Sequence, residues 1–378
     1  METLLKGKKV AIVHDWMTGY RGGEKVLSEI AALFPDAPIY TLVHKKNSTS
    51  RDLEARNIRT GLINKLPFGQ KYYRHYLPFF PLAAETLLPR GFDVVISTSH
   101  AVAKSINTRG AAHWCYIHSP MRYVWDRFDD YFGADIVGAL PSKLFFKPIA
   151  HALSFYDRKT ANRVDQFVAN SRFVATRVRD YYSRDSEVIH PPVNVERYRS
   201  LERKPEDFYL FFSALVPYKK ADHAILACQK LGRKLVILGD GPEKEKLQKL
   251  AAGAQVEFMD ASSDQVIEDL MSRAKAFLFP AIEDFGIAPV EATAAGLPII
   301  GLAQGGLLDS QSDETCVFYA EQTVDALADA ILKFEKEANR FDREKMWKQC
   351  QKFAPERFRQ KVTDSLRSFE KNHFKNLR

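Results

Sequence analysis

Pro280-Ala-Ile-Glu-Asp-Phe-Gly-Ile-Ala-Pro-Val-Glu291, continuing as Ala292-Thr-Ala-Ala-Gly-Leu-Pro-Ile-Ile-Gly301, decides how this chain is read. The apolar run Ala276-Phe-Leu-Phe279 before it has the character of a buried parallel strand. Phe285-Gly286 then turns the chain into a short helix with Pro289 near its first turn, so the spacing predicts a strand, a glycine turn and a helix start. Such a start presents unpaired backbone N–H groups and the positive end of a dipole, which suit an anionic or hydroxyl-rich ligand, and Gly286 lets the backbone come close to it. Two carboxylates flank the turn, Glu283 before it and Glu291 after it.

Working outward, 378 residues exceed one core and fit two domains. With 46% hydrophobic and 27% charged residues the chain is globular. No apolar run is long enough for a membrane span, and Met-Glu-Thr-Leu-Leu-Lys-Gly-Lys-Lys9 lacks the apolar centre of a signal peptide, so the expected location is cytoplasmic. Cys115, Cys228, Cys316 and Cys350 are far apart and read as reduced thiols. The net charge of +8 is compatible with nucleic acid, an anionic membrane face or phosphorylated small molecules. No nucleic-acid signature accompanies it. The basic excess gathers between Lys65 and Arg90, among Phe68, Tyr72, Tyr73, Tyr76, Phe79 and Phe80, and again from Arg357 to Arg378. The first of these reads either as a packed hairpin of short helices or as a lip touching membrane.

In chain order, Lys8–Asp15 reads as a first strand, and Gly19-Tyr-Arg-Gly-Gly-Glu-Lys25 as a glycine turn opening a helix. Gly19, Gly22 and Gly23 are too closely spaced for the dinucleotide fingerprint. Strands follow at Ala37–Val43 and Phe92–His100, the latter ending on His100. In His113-Trp-Cys-Tyr-Ile-His-Ser-Pro-Met-Arg-Tyr-Val-Trp-Asp126 a short strand ends at His118, leaving His118 and Arg122 at an edge. A long helix is expected over Ser142–Asn162, a strand over Asp165–Asn170 and a helix capped by Ser171. Ser186–Asn194, stopped by Pro191 and Pro192, closes the domain, with His190 as a structural residue. The second domain starts with Phe208–Lys220, continues through Lys234-Leu-Val-Ile-Leu-Gly-Asp-Gly-Pro-Glu243, and alternates helix and strand thereafter. The fold class is α/β, with expected domains at 1–195 and 196–355 and a basic last helix at 356–378.

Glu283 and Glu291, separated by seven residues with Phe285-Gly286 between them and Gly296-Leu-Pro298 after the helix, resemble the signature of the retaining GT-B glycosyltransferases of family four, also called glycosyltransferases group 1. His118-Ser-Pro-Met-Arg122 with Trp125-Asp126, Gly239-Asp-Gly-Pro242 and Gly305-Gly-Leu-Leu-Asp309 carry the likeness along most of the chain, and the segments around His118 and Val216-Pro-Tyr-Lys219 look most like bacterial O-antigen mannosyltransferases. The resemblance implies two Rossmann-like domains facing a cleft, the second holding a nucleotide diphosphate-sugar and the first the acceptor, with the helix at 356–378 crossing back to pack on the first. It places Glu283 and the amides of Phe285, Gly286 and Ile287 on hydroxyls of the donor sugar and Glu291 on the ribose. It sets Gly22 and Gly23 near the donor diphosphate and acceptor, and His118 beside the donor sugar and its leaving group, so that His118 and Glu283 are the expected catalytic pair. Lys219 neutralises the diphosphate. The arginine expected five positions earlier is Ala214 here, leaving Lys220, Arg122 or Arg172 to compensate, with His100 a further phosphate or acceptor contact.

The implied reaction is retaining transfer of a sugar, with mannose from GDP-mannose favoured, onto a polyprenyl-diphosphate-linked saccharide at the inner membrane face. Departure of the leaving group builds negative charge on the diphosphate and oxocarbenium character on the sugar. No Asp-x-Asp motif occurs in the chain, so the expectation is charge stabilisation by Lys219, helix N-termini and amides, with no metal and no cofactor beyond the donor. Alternatives are a UDP-sugar-dependent transferase of the same fold, a sugar-nucleotide 2-epimerase, which shares the architecture, or a non-catalytic nucleic-acid or membrane-binding protein, which explains the charge but not the glutamate pair.

Overall fold

The computed structural model describes residues 4–132, 141–260 and 263–374. The chain divides into two units: Met1–Pro192 together with Glu356–Arg378, and Val193–Pro355. The first division falls slightly before the expected boundary at 195, because Val193 N–H donates to Phe353 O at 2.8 Å and Val193 packs in the core of the second unit.

In the first unit seven strands, β1 (Val10–Met17), β2 (Ile39–His44), β3 (Ile58–Thr60), β4 (Val94–Ser99), β5 (Ala112–Ile117), β6 (Gln166–Ala169) and β7 (Ser186–Val188), form one sheet in the order β3-β2-β1-β4-β5-β6-β7. Every pairing is parallel. Parallel strands buried on both faces read as unbroken apolar runs, as Val94-Val-Ile96 and Trp114-Cys-Tyr-Ile117 do, all of them buried. The strand order reverses between β1 and β4, and the crevice outside the carboxyl ends of those strands is where open α/β sheets hold ligands.

Asp15, fully buried near the end of β1, spans that reversal. Its Oδ2 accepts from the backbone N–H groups of His100 (2.6 Å) and Ala101 (2.9 Å), and its Oδ1 from Val102 and Ala103 (both 2.7 Å). Burial raises the carboxyl above its ordinary value, and the amides oppose the rise.

The helix Pro355–Phe374 completes this unit. Phe358, Val362, Leu366 and Phe369 recur at helical spacing and are buried with Ile12, Val94, Trp114 and Tyr116. Trp114 Nε1 donates to Ser365 Oγ at 3.1 Å. The expected long helix over Ser142–Asn162 is instead a wide-turned segment, Ser142–Phe146, then a regular helix, Lys147–Thr160, then a tight turn, Ala161–Arg163. Lys65–Arg90 folds as short helical pieces that bury Tyr73, Leu77 and Phe80 and leave Phe68, Tyr72, Phe79 and Leu82 exposed.

The second unit is a six-stranded parallel sheet of β8 (Tyr209–Phe212), β9 (Leu235–Leu238), β10 (Val256–Met259), β11 (Phe277–Phe279), β12 (Ile299–Leu302) and β13 (Cys316–Tyr319), ordered β10-β9-β8-β11-β12-β13. Its order reverses between β8 and β11, the strand read from Ala276-Phe-Leu-Phe279.

Replacing Asp15 by Asn removes an acceptor oxygen and turns an NH2 group toward amide donors. Asp15→Asn is expected to destabilise the first unit by about 3 kcal/mol, read from its denaturant midpoint; a cost below about 1 kcal/mol would show that Asp15 does not hold the crossing.

Candidate functional site

Each unit gathers polar side chains at its own strand-order reversal. In the second unit the loop after β8 carries Lys219 and Lys220, and the loop after β11 carries Glu283. Lys219 Nζ and Glu283 Oε1 form a hydrogen-bonded ion pair across the reversal. Both side chains are largely but not fully buried, so a ligand entering the crevice meets the pair directly. Lys220 takes a left-handed conformation (φ 57°) ahead of the helix Ala221–Leu231. Ala214 is exposed at the mouth of the same loop, whose Leu215 exchanges backbone bonds with Asp240 and Glu243. Gly241 makes that contact possible, since a Cβ there would lie 2.3 Å from Leu215 O, and Gly239 packs as closely on Ser213, where a Cβ would lie 1.9 Å from its O.

The stretch that opened the sequence reading folds as a turn through Gly286 (φ 83°) into the helix Ile287–Ala294. Phe285 is buried edge-to-face against Phe353, 5.4 Å between centroids, which anchors the turn. Glu291 lies partly buried on the helix, close enough to the Val195–Tyr198 turn that its charge, after burial, helps push the Tyr198 phenol above its ordinary value. Gly305 and Gly306 press the loop after β12 against the Glu283 loop. Gly306 N–H donates to Glu283 O at 2.8 Å, and a Cβ on Gly306 would lie 2.3 Å from Phe285 Cα. Asp309 is buried on the short helix beyond.

In the first unit the sequence-expected His118 and His100 come together with a third imidazole that sequence reasoning missed, His14 on β1. Ring centroids stand 5.9 Å apart for His14 and His100 and 6.1 Å for His100 and His118. His100 Nδ1 lies 3.4 Å from Asp15 Oδ2. Gly23, in the first turn of the helix Gly22–Ala32, faces the same cluster: a Cβ there would be 3.7 Å from His14 Cε1 and 3.8 Å from His118 Nε2. The helix start is fixed by Glu24, whose Oε2 accepts from Arg21 N–H at 3.0 Å.

Two buried groups hold the segment carrying His118 and Arg122. Arg177 donates to Ser119 Oγ (2.9 Å) and to Asp126 Oδ1 (2.6 Å). Asp157 Oδ2 accepts from Trp125 Nε1 (2.7 Å) and Tyr182 OH (2.6 Å), and its Oδ1 pairs with the buried Lys104 at 2.9 Å. Arg122 opens the short helix Arg122–Trp125, and Arg172 is exposed at the start of the helix Arg172–Tyr182. Among the described residues no group of three or more His, Cys, Asp and Glu side chains is placed to hold a metal ion.

Two doubly wound parallel units, each with charged or polar groups at its strand-order reversal, define a two-domain α/β protein of the kind that holds ligands at such reversals. Family models agree on its kind: residues 20–197 match the model described as Glycosyltransferase Family 4, and residues 194–355 that of Glycosyl transferases group 1. The chain belongs to this glycosyltransferase family and has its GT-B fold. It is similar to the D-inositol 3-phosphate glycosyltransferase of Mycobacterium avium (strain 104), 25% identical over 200 residues. That match takes in 46% of this chain and 47% of the relative, so the chain spans about half the length of the curated relatives it matches. Among solved structures it superposes on Anabaena Alr3699/HepE in complex with UDP-glucose, with TM-score 0.69 and 16% identity over 95% of this chain and 99% of that one. The lipopolysaccharide outer core galactosyltransferase WaaB in its apo form gives TM-score 0.66 and 15% identity, covering 95% of this chain and 99% of that one.

Burial drives the pKa of two first-unit histidines down from 6.5 to about 3: His14, with His100 adding to the effect, and His113, whose ring meets Ser97 Oγ at 2.7 Å. Neither ring takes up a second, charging proton in the folded unit at neutral pH, whereas both take one up in the unfolded chain near pH 6.5. Their contribution to stability is therefore full above that pH and is lost as pH falls toward about 3. The unfolding free energy of the first unit should fall by about 1.4 kcal/mol per pH unit for each such histidine below pH ~6. His113→Phe should flatten that slope by one proton; an unchanged slope would refute a neutral buried ring.

Proposed function

We propose that this chain is a glycosyltransferase that moves a sugar from a nucleotide diphosphate-sugar to a saccharide acceptor. The observation that carries the reading is the Lys219–Glu283 pair at the reversal of the second sheet, beside the helix start at Gly286 and the glycine-packed loop at Gly305-Gly306. An ammonium, a carboxylate and first-turn helix amides in one crevice match the parts of a nucleotide-sugar: a diphosphate needs cationic and N–H partners, and a sugar hydroxyl needs a carboxylate. Lys219 pairs with Glu283. On binding, the diphosphate takes over the ammonium, and Glu283 turns to the sugar hydroxyls together with the amides of Phe285, Gly286 and Ile287. Glu291 holds the ribose. As the leaving group departs, Lys219, with Lys220, Arg122 or Arg172 standing in for the arginine absent at Ala214, stabilises the growing charge. His118 and the Gly22-Gly23 helix start serve the sugar and acceptor side.

Transfer is with retention and without a metal, a reading supported by the family likeness and by a chain that lacks the Asp-x-Asp motif. The donor favoured by the segments around His118 and Val216–Lys219 is GDP-mannose. A UDP-sugar is the second reading, favoured by the fold's likeness to an Anabaena protein solved with UDP-glucose. A lipid-linked saccharide at an anionic membrane face is the acceptor consistent with the +8 charge and with the surface of the first unit. There Phe68 (77% exposed) lies in sequence between the exposed Lys65 and Lys71, and Phe145 (63%) between the exposed Lys143 and Lys147, with Phe155 (68%) exposed on the helix that follows. Tyr156 OH donates to Pro81 O at 3.4 Å and so sets the helix of Phe155 against the Lys65–Arg90 segment. Among the described residues no helix is long and apolar enough to cross a membrane.

Thermal shifts in excess chelator with GDP, UDP, ADP and their sugar conjugates should single out one nucleotide, and turnover with that donor should persist in chelator. Loss of turnover restored by magnesium or manganese would overturn the metal-free mechanism. A sugar altered while still on its nucleotide would identify an epimerase. Glu283→Ala should lower kcat at least about 100-fold with nucleotide binding retained, and Glu291→Ala should weaken nucleotide binding about tenfold; unchanged kinetics in both would remove these assignments. In vesicle flotation the chain should associate with anionic but not neutral vesicles, and Phe68→Ser with Phe155→Ser should release it. Equal recovery of parent and variant would discard the membrane surface.

A further inference from the structure

Three imidazoles at the first-unit reversal differ in how they are engaged. His14 is wholly buried; its Nδ1 lies 2.6 Å from Thr98 Oγ1, and among the described residues nothing bonds its Nε2. Leaving a buried ring nitrogen unmatched costs about 1–3 kcal/mol, and such a group calls for an explanation. The Cε1 edge of this ring faces Gly23 in the first turn of the Gly22–Ala32 helix, where an added Cβ would lie 3.7 Å from it and 3.8 Å from His118 Nε2, so that only backbone stands between the helix start and the two rings. The first amides of a helix have no intrahelical acceptor, so the same spot offers N–H donors.

We propose that His14 Nε2 binds a neutral sugar hydroxyl at the start of the Gly22–Ala32 helix, as a hydroxyl-reading residue distinct from His118. This rests on the glycosyltransferase reading and deepens it. A hydroxyl suits the site better than an anion for a reason of valence. If Nδ1 carries the proton and gives it to Thr98, Nε2 is a bare acceptor, which a hydroxyl satisfies and a phosphate or carboxylate oxygen does not. If Thr98 donates to Nδ1, Nε2 is a donor, and a hydroxyl satisfies that too. In either tautomer the hydroxyl's oxygen can also accept from a first-turn amide of the helix. The ring is neutral, since burial and His100 hold its pKa near about 3, so it adds no positive charge to attract an anion. It is a positioning and specificity group, too weakly basic to take the proton of the reacting hydroxyl. The hydroxyl belongs either to the sugar of the donor or to the saccharide acceptor.

The test is a titration of the full chain labelled with 15N-histidine, with resonances assigned through His14→Phe and His118→Phe and the ring nitrogens read by long-range 1H–15N correlation. Probes are UDP, GDP, UDP-glucose, GDP-mannose, methyl α-mannoside and methyl α-glucoside. A shift of His14 Nε2 with a nucleotide-sugar but not with its bare nucleotide assigns the hydroxyl to the donor. A shift with a methyl glycoside assigns it to the acceptor. In the donor case His14→Phe should weaken the nucleotide-sugar about tenfold and leave the bare nucleotide unaffected. If a nucleotide-sugar binds and moves His118 while His14 stays still with every probe, the proposal is overturned and the glycosyltransferase reading stands. If His14 responds equally to UDP or GDP alone, the ligand is a phosphate and the proposal is also overturned. If no probe binds at all, the proposal falls together with the reading beneath it.

Discussion

A buried carboxylate that accepts four backbone amides is the constraint on which the first unit depends. Asp15 leaves β1 where the sheet changes direction, and its two oxygens gather the amides of residues 100–103 beyond β4. Burying a charged group is unfavourable unless its lone pairs are met, and here the chain meets them with its own main chain. One consequence is geometric. His14 and His100, one beside Asp15 in sequence and the other among its amide donors, are held against each other, and His118 joins them from β5 because its N–H donates to Ser99 O at 2.8 Å. Polar groups that no single strand would tolerate become one cluster because a single carboxylate fixes the loops that carry them.

The second unit solves the same problem with glycine in place of a carboxylate. Gly239 lets the β8 and β9 loops touch, and Gly305 and Gly306 let the loop after β12 lie on Glu283 and Phe285. At each of these contacts a Cβ would come within 3 Å of backbone atoms, which the packed loops could not absorb. Lys219 and Glu283 therefore meet on loops whose backbones are already fixed, so binding a ligand need not order them first.

Much of this was legible in the sequence because it is written in local patterns. Apolar runs bounded by glycine and proline marked the parallel strands, and strand–glycine–helix steps put Gly22-Gly23 and Gly286 at turns into helices. What escaped is non-local. His14 sits inside an apolar run and looks like a tolerated core residue; its Thr98 partner is 84 positions away. The donors to Asp15 lie 85 to 88 positions on and are main-chain groups, which leave no residue-type signal. Arg177 likewise looks like one more basic residue on an amphipathic helix until Ser119 and Asp126 are folded against it. The aromatic segment Lys65–Arg90 left two readings open because composition shows which rings are present but not which turn outward. Phe80 is buried and its neighbour Phe79 is not.

The helix Pro355–Phe374 sets an order on how this chain comes to be folded. Its apolar stripe is part of the first core, and the Trp114–Ser365 bond joins residues 251 positions apart. A ribosome delivers all of the second unit before it delivers Phe358, Val362, Leu366 and Phe369. The unit that begins first in sequence is thus the last to be able to finish. Until then the sheet face around Trp114 and Tyr116 lacks its cover, an exposed apolar surface of the kind that invites chaperones or aggregation during synthesis.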